Sequence, residues 1–157
     1  GTYASILFLV LMFIGGCAGS TTGGLKIFRF QILFKFIAIH LKKMLQPHAV
    51  IASHFNGRKI EDTTYDSVMI FFFLYIITFA ISALLLSFSG LDFLTCFSAA
   101  ASAVSNVGPG LGEIIGPEGY YSLLTNYSKI ILVFTMFLGR LEMLTIFILI
   151  LPSFWKN

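Results

Sequence analysis

Residues 67–88 read SVMIFFFLYIITFAISALLLSF, 22 positions without a charge. As a helix this run measures about 33 Å, against about 30 Å for the hydrocarbon core of a bilayer. Inside lipid a spanning segment of this kind must satisfy its own backbone N–H and C=O groups, which a helix does. Composition points the same way. The chain of 157 residues is 57% hydrophobic and 11% charged, where soluble domains are about 45–50% apolar and about 25% charged. The expected class is an all-α membrane protein embedded in a lipid bilayer.

Charge gives the orientation. Lys26, Arg29, Lys35, Lys42, Lys43, Arg58 and Lys59 are seven of the ten basic residues, and an excess of Lys and Arg marks the cytoplasmic side. The cluster reads as a cytoplasmic loop rather than a nucleic-acid patch, so no nucleic-acid partner is expected. The span at 67–88 then runs outward. A second span over 127–151 returns, ending at Pro152 with Trp155 as an interfacial aromatic and Lys156 as a cytoplasmic anchor. Residues 45–65 are the cytoplasmic connection, with Pro47 and Asn56-Gly57 as turn signals. His40, His48 and His54 near this loop read as solvated or interfacial. Cys17 and Cys96 lack metal-ligand spacing and read as small apolar packers. There is no catalytic dyad, and no enzyme is expected.

Between the spans, residues 91–104 (LDFLTCFSAAASAV) are apolar but too short to cross, the pattern of a re-entrant or buried half-helix. A helix over 92–104 is expected, with Asp92 at its N-terminus. SNVGPGLG follows at 105–112, placing Asp92, Glu113 and Glu118 on the outer side. Non-helical backbone at membrane depth is tolerated only when buried or lining a watery cavity. A half-helix leading into a Gly-rich loop suits a filter whose carbonyls replace an ion's hydration shell. The helix C-terminus, the negative end of its dipole, favours a cation there. The filter is expected over 105–110, where Gly108 and Gly110 let carbonyls turn inward. An external turn is the alternative.

The first segment carries a different interruption. Residues 3–14 are uncharged and span about 18 Å as a helix, half a bilayer. GGCAGSTTGG at 15–24 follows, then an apolar–basic helix over 25–41 that is polar on two sides. GSTTGGLK lacks the G-x-x-x-x-G-K-[ST] order of a phosphate-binding loop, and its flanks look membranous. No short capped half-helix doubles back before it, as a second filter would require. The remaining reading is a transmembrane helix broken at mid-depth, whose small residues Gly15, Gly16, Gly19, Ser20, Thr21, Thr22, Gly23 and Gly24 face a permeation path.

Arg140 and Glu142 stand in the middle of the last span. Ionisable residues at such depth are functional candidates. Being two apart, they do not face each other on a helix. Arg140 either raises a barrier below a cation filter, bonds carbonyls of a neighbouring loop, or joins a structural ion pair between helices.

GGCAGSTTGGLK, SNVGPGLGE and FLGRLEMLTIFILILPSFW together resemble the Trk-type potassium uptake proteins of bacteria, and more distantly the Ktr and fungal Trk proteins. The resemblance implies potassium-channel-like span–pore loop–span repeats around one pore, K⁺ as the transported ion and no organic cofactor. Residues 1–44 would be the second span of a third repeat, broken at 15–24 by a gating loop. Residues 66–157 would be the fourth repeat, with Ser105, Asn106, Val107 and Gly108 as its filter strand and K⁺ at Asn106 and Val107, and Arg140 would be the arginine facing the gating loop. The chain would be a fragment lacking the earlier repeats of its own subunit. Partners would be a second copy, in a homodimer, and a cytosolic nucleotide-binding regulatory subunit of the TrkA kind. Location would be the bacterial inner membrane, multi-pass, with a cytoplasmic C-terminus. Channel-like flow and symport both remain open, and a secondary cation carrier binding at the broken helix is the alternative.

Overall fold

The computed structural model describes residues 2–16, 23–46, 54–55, 58–59, 62–112, 114–116 and 119–140. Its elements in order are α1 (Thr2–Phe13), α2 (Ile27–Leu45), β1 (His54–Phe55), β2 (Arg58–Lys59), α3 (Asp62–Ser87), α4 (Phe93–Ser105), a 3₁₀ turn (Tyr121–Leu123) and α5 (Asn126–Arg140). The fold is helical apart from the β1–β2 hairpin. Its register, His54 with Lys59 and Phe55 with Arg58, flanks the Asn56-Gly57 pair, a sequence suited to a tight hairpin turn.

α4 is the core of the assembly. It packs against α1, α3 and α5, and Ala99 to Ser105 are buried without exception. Its sequence FLTCFSAAASAVS explains this: alanine and serine let neighbouring helices approach closely, as in membrane interiors. Ala83 and Leu86 of α3, Cys96, Ala99, Ala100 and Ala103 of α4, and Leu132 of α5 form one buried cluster.

α3 and α5 are inverted relative to helices of soluble proteins. On α3 the inward stripe includes Tyr75, Thr78 and Ser82, while Ile70, Phe73, Ile76 and Leu84 are exposed. On α5 Ser128 and Thr135 are buried, while Ile130, Val133, Phe134 and Phe137 are exposed. Hydroxyls turned inward need partners and find them. Ser82 and Thr135 share a 2.8 Å hydrogen bond, Ser82 also reaches the Thr78 carbonyl, and Ser128 donates to Ser89 at 2.8 Å. Apolar surface outside and satisfied hydroxyls inside suit lipid as the solvent. Among the described residues, α3 contains the one helix segment long and apolar enough to cross a membrane.

Several boundaries differ from those expected. α3 begins at Asp62, inside the expected loop and ahead of the expected span. The sequence criterion marks where apolar contact begins, whereas helical hydrogen bonding continues into the aqueous phase. α2 extends to Leu45, with Lys42 and Lys43 in the last turn favoured by the helix dipole. Its polar-on-two-sides pattern leaves a third stripe, Phe28, Ile32 and Phe36, which packs on Tyr65 and Val68 of α3. α4 runs one residue later than expected: Asp92 is its N-cap, accepting from the Leu94 N–H at 3.3 Å, and Ser105 belongs to the helix. The second span is described from Asn126 to Arg140; Glu142, Pro152, Trp155 and Lys156 lie outside the described residues.

Candidate functional site

The end of α4 determines the local chemistry. Asn106 takes the left-handed conformation, φ 55° and ψ 40°, and is the only non-glycine residue with positive φ among the described residues. Its N–H donates to the Ala103 carbonyl at 3.2 Å, and the Val107 N–H to the Ser102 carbonyl at 3.0 Å. This is a Schellman cap with Asn in the place glycine usually holds. The Gly108 N–H continues the series, donating to Ser102 Oγ at 3.1 Å. Three successive N–H groups are thus turned back onto α4. In a trans peptide the C=O lies opposite the N–H, and no peptide bond here is cis. The carbonyls of Ser105, Asn106 and Val107 therefore point away from the helix.

Side chains hold this strand. Ser105 Oγ shares a 2.6 Å hydrogen bond with the Tyr75 phenol of α3. Asn106 Nδ2 donates to the Met136 carbonyl of α5 at 3.2 Å. Ser98 Oγ, one turn before Ser102, accepts from the Leu111 N–H at 2.9 Å. Gly108 differs from its three neighbours: its carbonyl accepts from the Tyr121 phenol at 2.7 Å. Gly108 has φ +109°, a region other residues resist. Burial pushes the Tyr121 phenol above the ordinary tyrosine range, with the Ser102 hydroxyl opposing. It remains neutral, and a donor, at physiological pH.

The helix break comes to the same place. α1 stops at Phe13, Ile14 pairs with Leu25 in a parallel bridge, and the Gly15 N–H donates to the Leu25 carbonyl at 2.8 Å. The Ile27 N–H then reaches the Gly16 carbonyl at 3.2 Å, so the two ends of the interruption are fastened together. Gly19, Ser20, Thr21 and Thr22, with Cys17, lie outside the described residues. Gly23 and Gly24 are buried on the return path against the end of α4. A Cβ at Gly23 would stand 3.0 Å from Asn106 Cβ and from the Ser105 carbonyl oxygen, closer than side chains ordinarily come. Leu25 is buried with Tyr75 and Val104. The structure thus brings Gly23 and Gly24 to Ser105 and Asn106, while Gly15 and Gly16 are tied to Leu25 and Ile27.

Arg140 is the last described residue of α5 and is exposed. It follows Gly139, whose missing side chain lets α5 touch the Val104 carbonyl and Asn106. Of its expected counterpart, the loop 15–24, residues 17–22 lie outside the described residues. Arg29, one of the basic cluster read as cytoplasmic, has its guanidinium 3.9 Å from the centre of the Phe71 ring of α3. Sequence reasoning missed Tyr75, Ser102 and Tyr121. Ser98 and Ser102, four apart on an otherwise apolar half-helix, were a legible signal for a polar stripe. Nothing marked the two tyrosines. Among the described residues no group of His, Cys, Asp and Glu could hold a metal ion.

Comparison with known proteins identifies the lineage. The family model for the cation transport protein TrkH matches residues 2–156. The chain belongs to the TrkH family. It is 44% identical over 157 residues to the Trk system potassium uptake protein TrkI of Halomonas elongata, covering 100% of this chain and 32% of that protein. It is 37% identical over 155 residues to the Trk system potassium uptake protein TrkH of Vibrio parahaemolyticus, covering 99% of this chain and 31% of that protein. The crystal structure of the potassium transporter TrkH from Vibrio parahaemolyticus superposes with a TM-score of 0.87 at 36% identity, covering 99% of this chain and 32% of that one. This TrkH-family chain therefore spans about a third of the length of the relatives it matches. Those relatives are transport proteins, and the family is not one of enzymes.

Proposed function

We propose that the chain forms part of a pore for potassium uptake across the bacterial inner membrane. The single observation that supports this reading is the run of three N–H groups turned back onto α4, which directs the Ser105, Asn106 and Val107 carbonyls away from it. Oxygens so aligned, at the negative end of a half-helix, can replace the water around a monovalent cation. Asn106 and Val107 supply the central ligands. Residues 66–157 act as one span–pore loop–span repeat, and the other repeats of the subunit complete the ring of carbonyls.

In this reading the interruption at 15–24 is the gate. Its ends are tied together, and its return path passes the end of α4, so movement of the loop opens or closes the path just beyond the filter. Arg140 holds it shut. The working protein is a homodimer, multi-pass with a cytoplasmic C-terminus, and a cytosolic nucleotide-binding subunit controls it.

The test uses a full-length Trk subunit carrying this chain as its matching third, in cells deficient in potassium uptake. Gly108→Val forces a β-branched residue into φ +109° and is expected to lower the preference for K⁺ over Na⁺ by about tenfold. An unchanged preference sinks the filter assignment.

A further inference from the structure

We infer that Tyr121 is a positioning residue for the filter strand: its phenol holds the Gly108 carbonyl, so that the strand cannot tighten around a cation smaller than K⁺. The inference rests on the filter reading above and adds a residue that lies 13 positions from Gly108 in sequence and outside the strand.

The Gly108 residue is held on both sides. Its N–H reaches Ser102 Oγ at 3.1 Å and its C=O receives the Tyr121 phenol at 2.7 Å. Ser102 is wholly buried in α4, so one anchor belongs to the most tightly packed element of the fold. The other belongs to the 3₁₀ turn that leads into α5. A Cβ built at Gly108 meets nothing within 4 Å among the described residues. The position is therefore held by hydrogen bonds rather than by side-chain packing. That is the arrangement in which loss of one donor changes the freedom of the strand most.

The consequence is a difference between ions. A smaller cation draws its ligands closer, and the strand can follow only by rotating the peptides at 107–108 and 108–109. Rotating the first breaks the bond to Ser102; rotating the second breaks the bond to Tyr121. Whether selectivity comes from cavity size or from the number of coordinating carbonyls, both depend on how freely those peptides turn. A tyrosine phenol is protonated at physiological pH, so the restraint persists there.

Tyr121→Phe keeps the ring and removes the donor. In the full-length subunit carrying this chain, competition by Na⁺ against K⁺ uptake is expected to rise about tenfold, the scale of one lost hydrogen bond. Protein amount and melting temperature are expected to stay at the parental level. Ser102→Ala, which removes the acceptor of the Gly108 N–H, is expected to shift the ratio in the same direction and carries the test if Tyr121→Phe does not accumulate. A Tyr121→Phe protein with lowered stability and an unchanged ion ratio overturns the inference. If Gly108→Val alters the ratio while Tyr121→Phe and Ser102→Ala do not, Tyr121 loses this role and the filter reading stands. If none of the three alters it, both fall.

Discussion

Asn106 carries much of the site's geometry in one residue. Its left-handed backbone ends α4, and its side chain fastens the turn to the Met136 carbonyl of α5. The two roles can be separated. Asn106→Gly keeps the backbone conformation and loses the bond to α5. Asn106→Val places a β-branched residue where even an unbranched one costs about 1–2 kcal/mol. Thermal unfolding of the purified full-length subunit is expected to show a clearly lower melting temperature for the valine variant than for the glycine variant. Equal melting temperatures would mean the turn does not depend on the left-handed conformation. Sequence reasoning had Asn106 as an ion-lining residue. Only the structure gives its amide a second job, because Met136 is 30 positions away.

At the scale of elements, α4 decides how closely α1, α3 and α5 approach. Ala100 is wholly buried in the cluster formed with α3 and α5. Ala100→Leu adds three carbons where there is no room, and overpacking of this kind costs about 1–3 kcal/mol. The expected outcome is a lower melting temperature together with reduced uptake. The same enlargement at Ala80→Leu, on the exposed face of α3, is expected to be nearly silent because the added carbons extend into lipid. Loss of stability of equal size at both sites would contradict the assignment of inner and outer faces. α2 is fastened to α3 by two kinds of contact, the Phe28, Ile32 and Phe36 stripe and the Arg29 guanidinium over Phe71. Phe71 in turn stacks on Tyr75, which bonds Ser105. A continuous set of contacts thus joins the exit of the broken helix to the strand that carries the carbonyls.

For the whole molecule, the chain covers about a third of its relatives and supplies one carbonyl strand of the proposed ring. Produced alone in cells deficient in potassium uptake, it is expected to give no uptake above background, whereas the same residues within a full-length Trk subunit are expected to restore growth at low K⁺. Uptake by the isolated chain would show that the ring does not need the other repeats.

The sequence by itself determined the solvent and the rhythm of the fold. An uncharged run of 22 residues and a short apolar segment capped by Asp92 specify a helix long enough to span and a half-helix, because each follows from local length and hydropathy. It also marked Asn56-Gly57 as a turn signal, which the β1–β2 pairing flanks, and an interruption after the first apolar helix, which ends at Phe13. What the tertiary structure alone decided is who meets whom. Gly23 against Asn106, Tyr75 on Ser105 and Tyr121 on Gly108 join elements that no periodicity relates. The physical reason is that carbonyl direction depends on where each N–H finds its partner. For Gly108 that partner is a side chain inside α4, reached only after the chain has turned back.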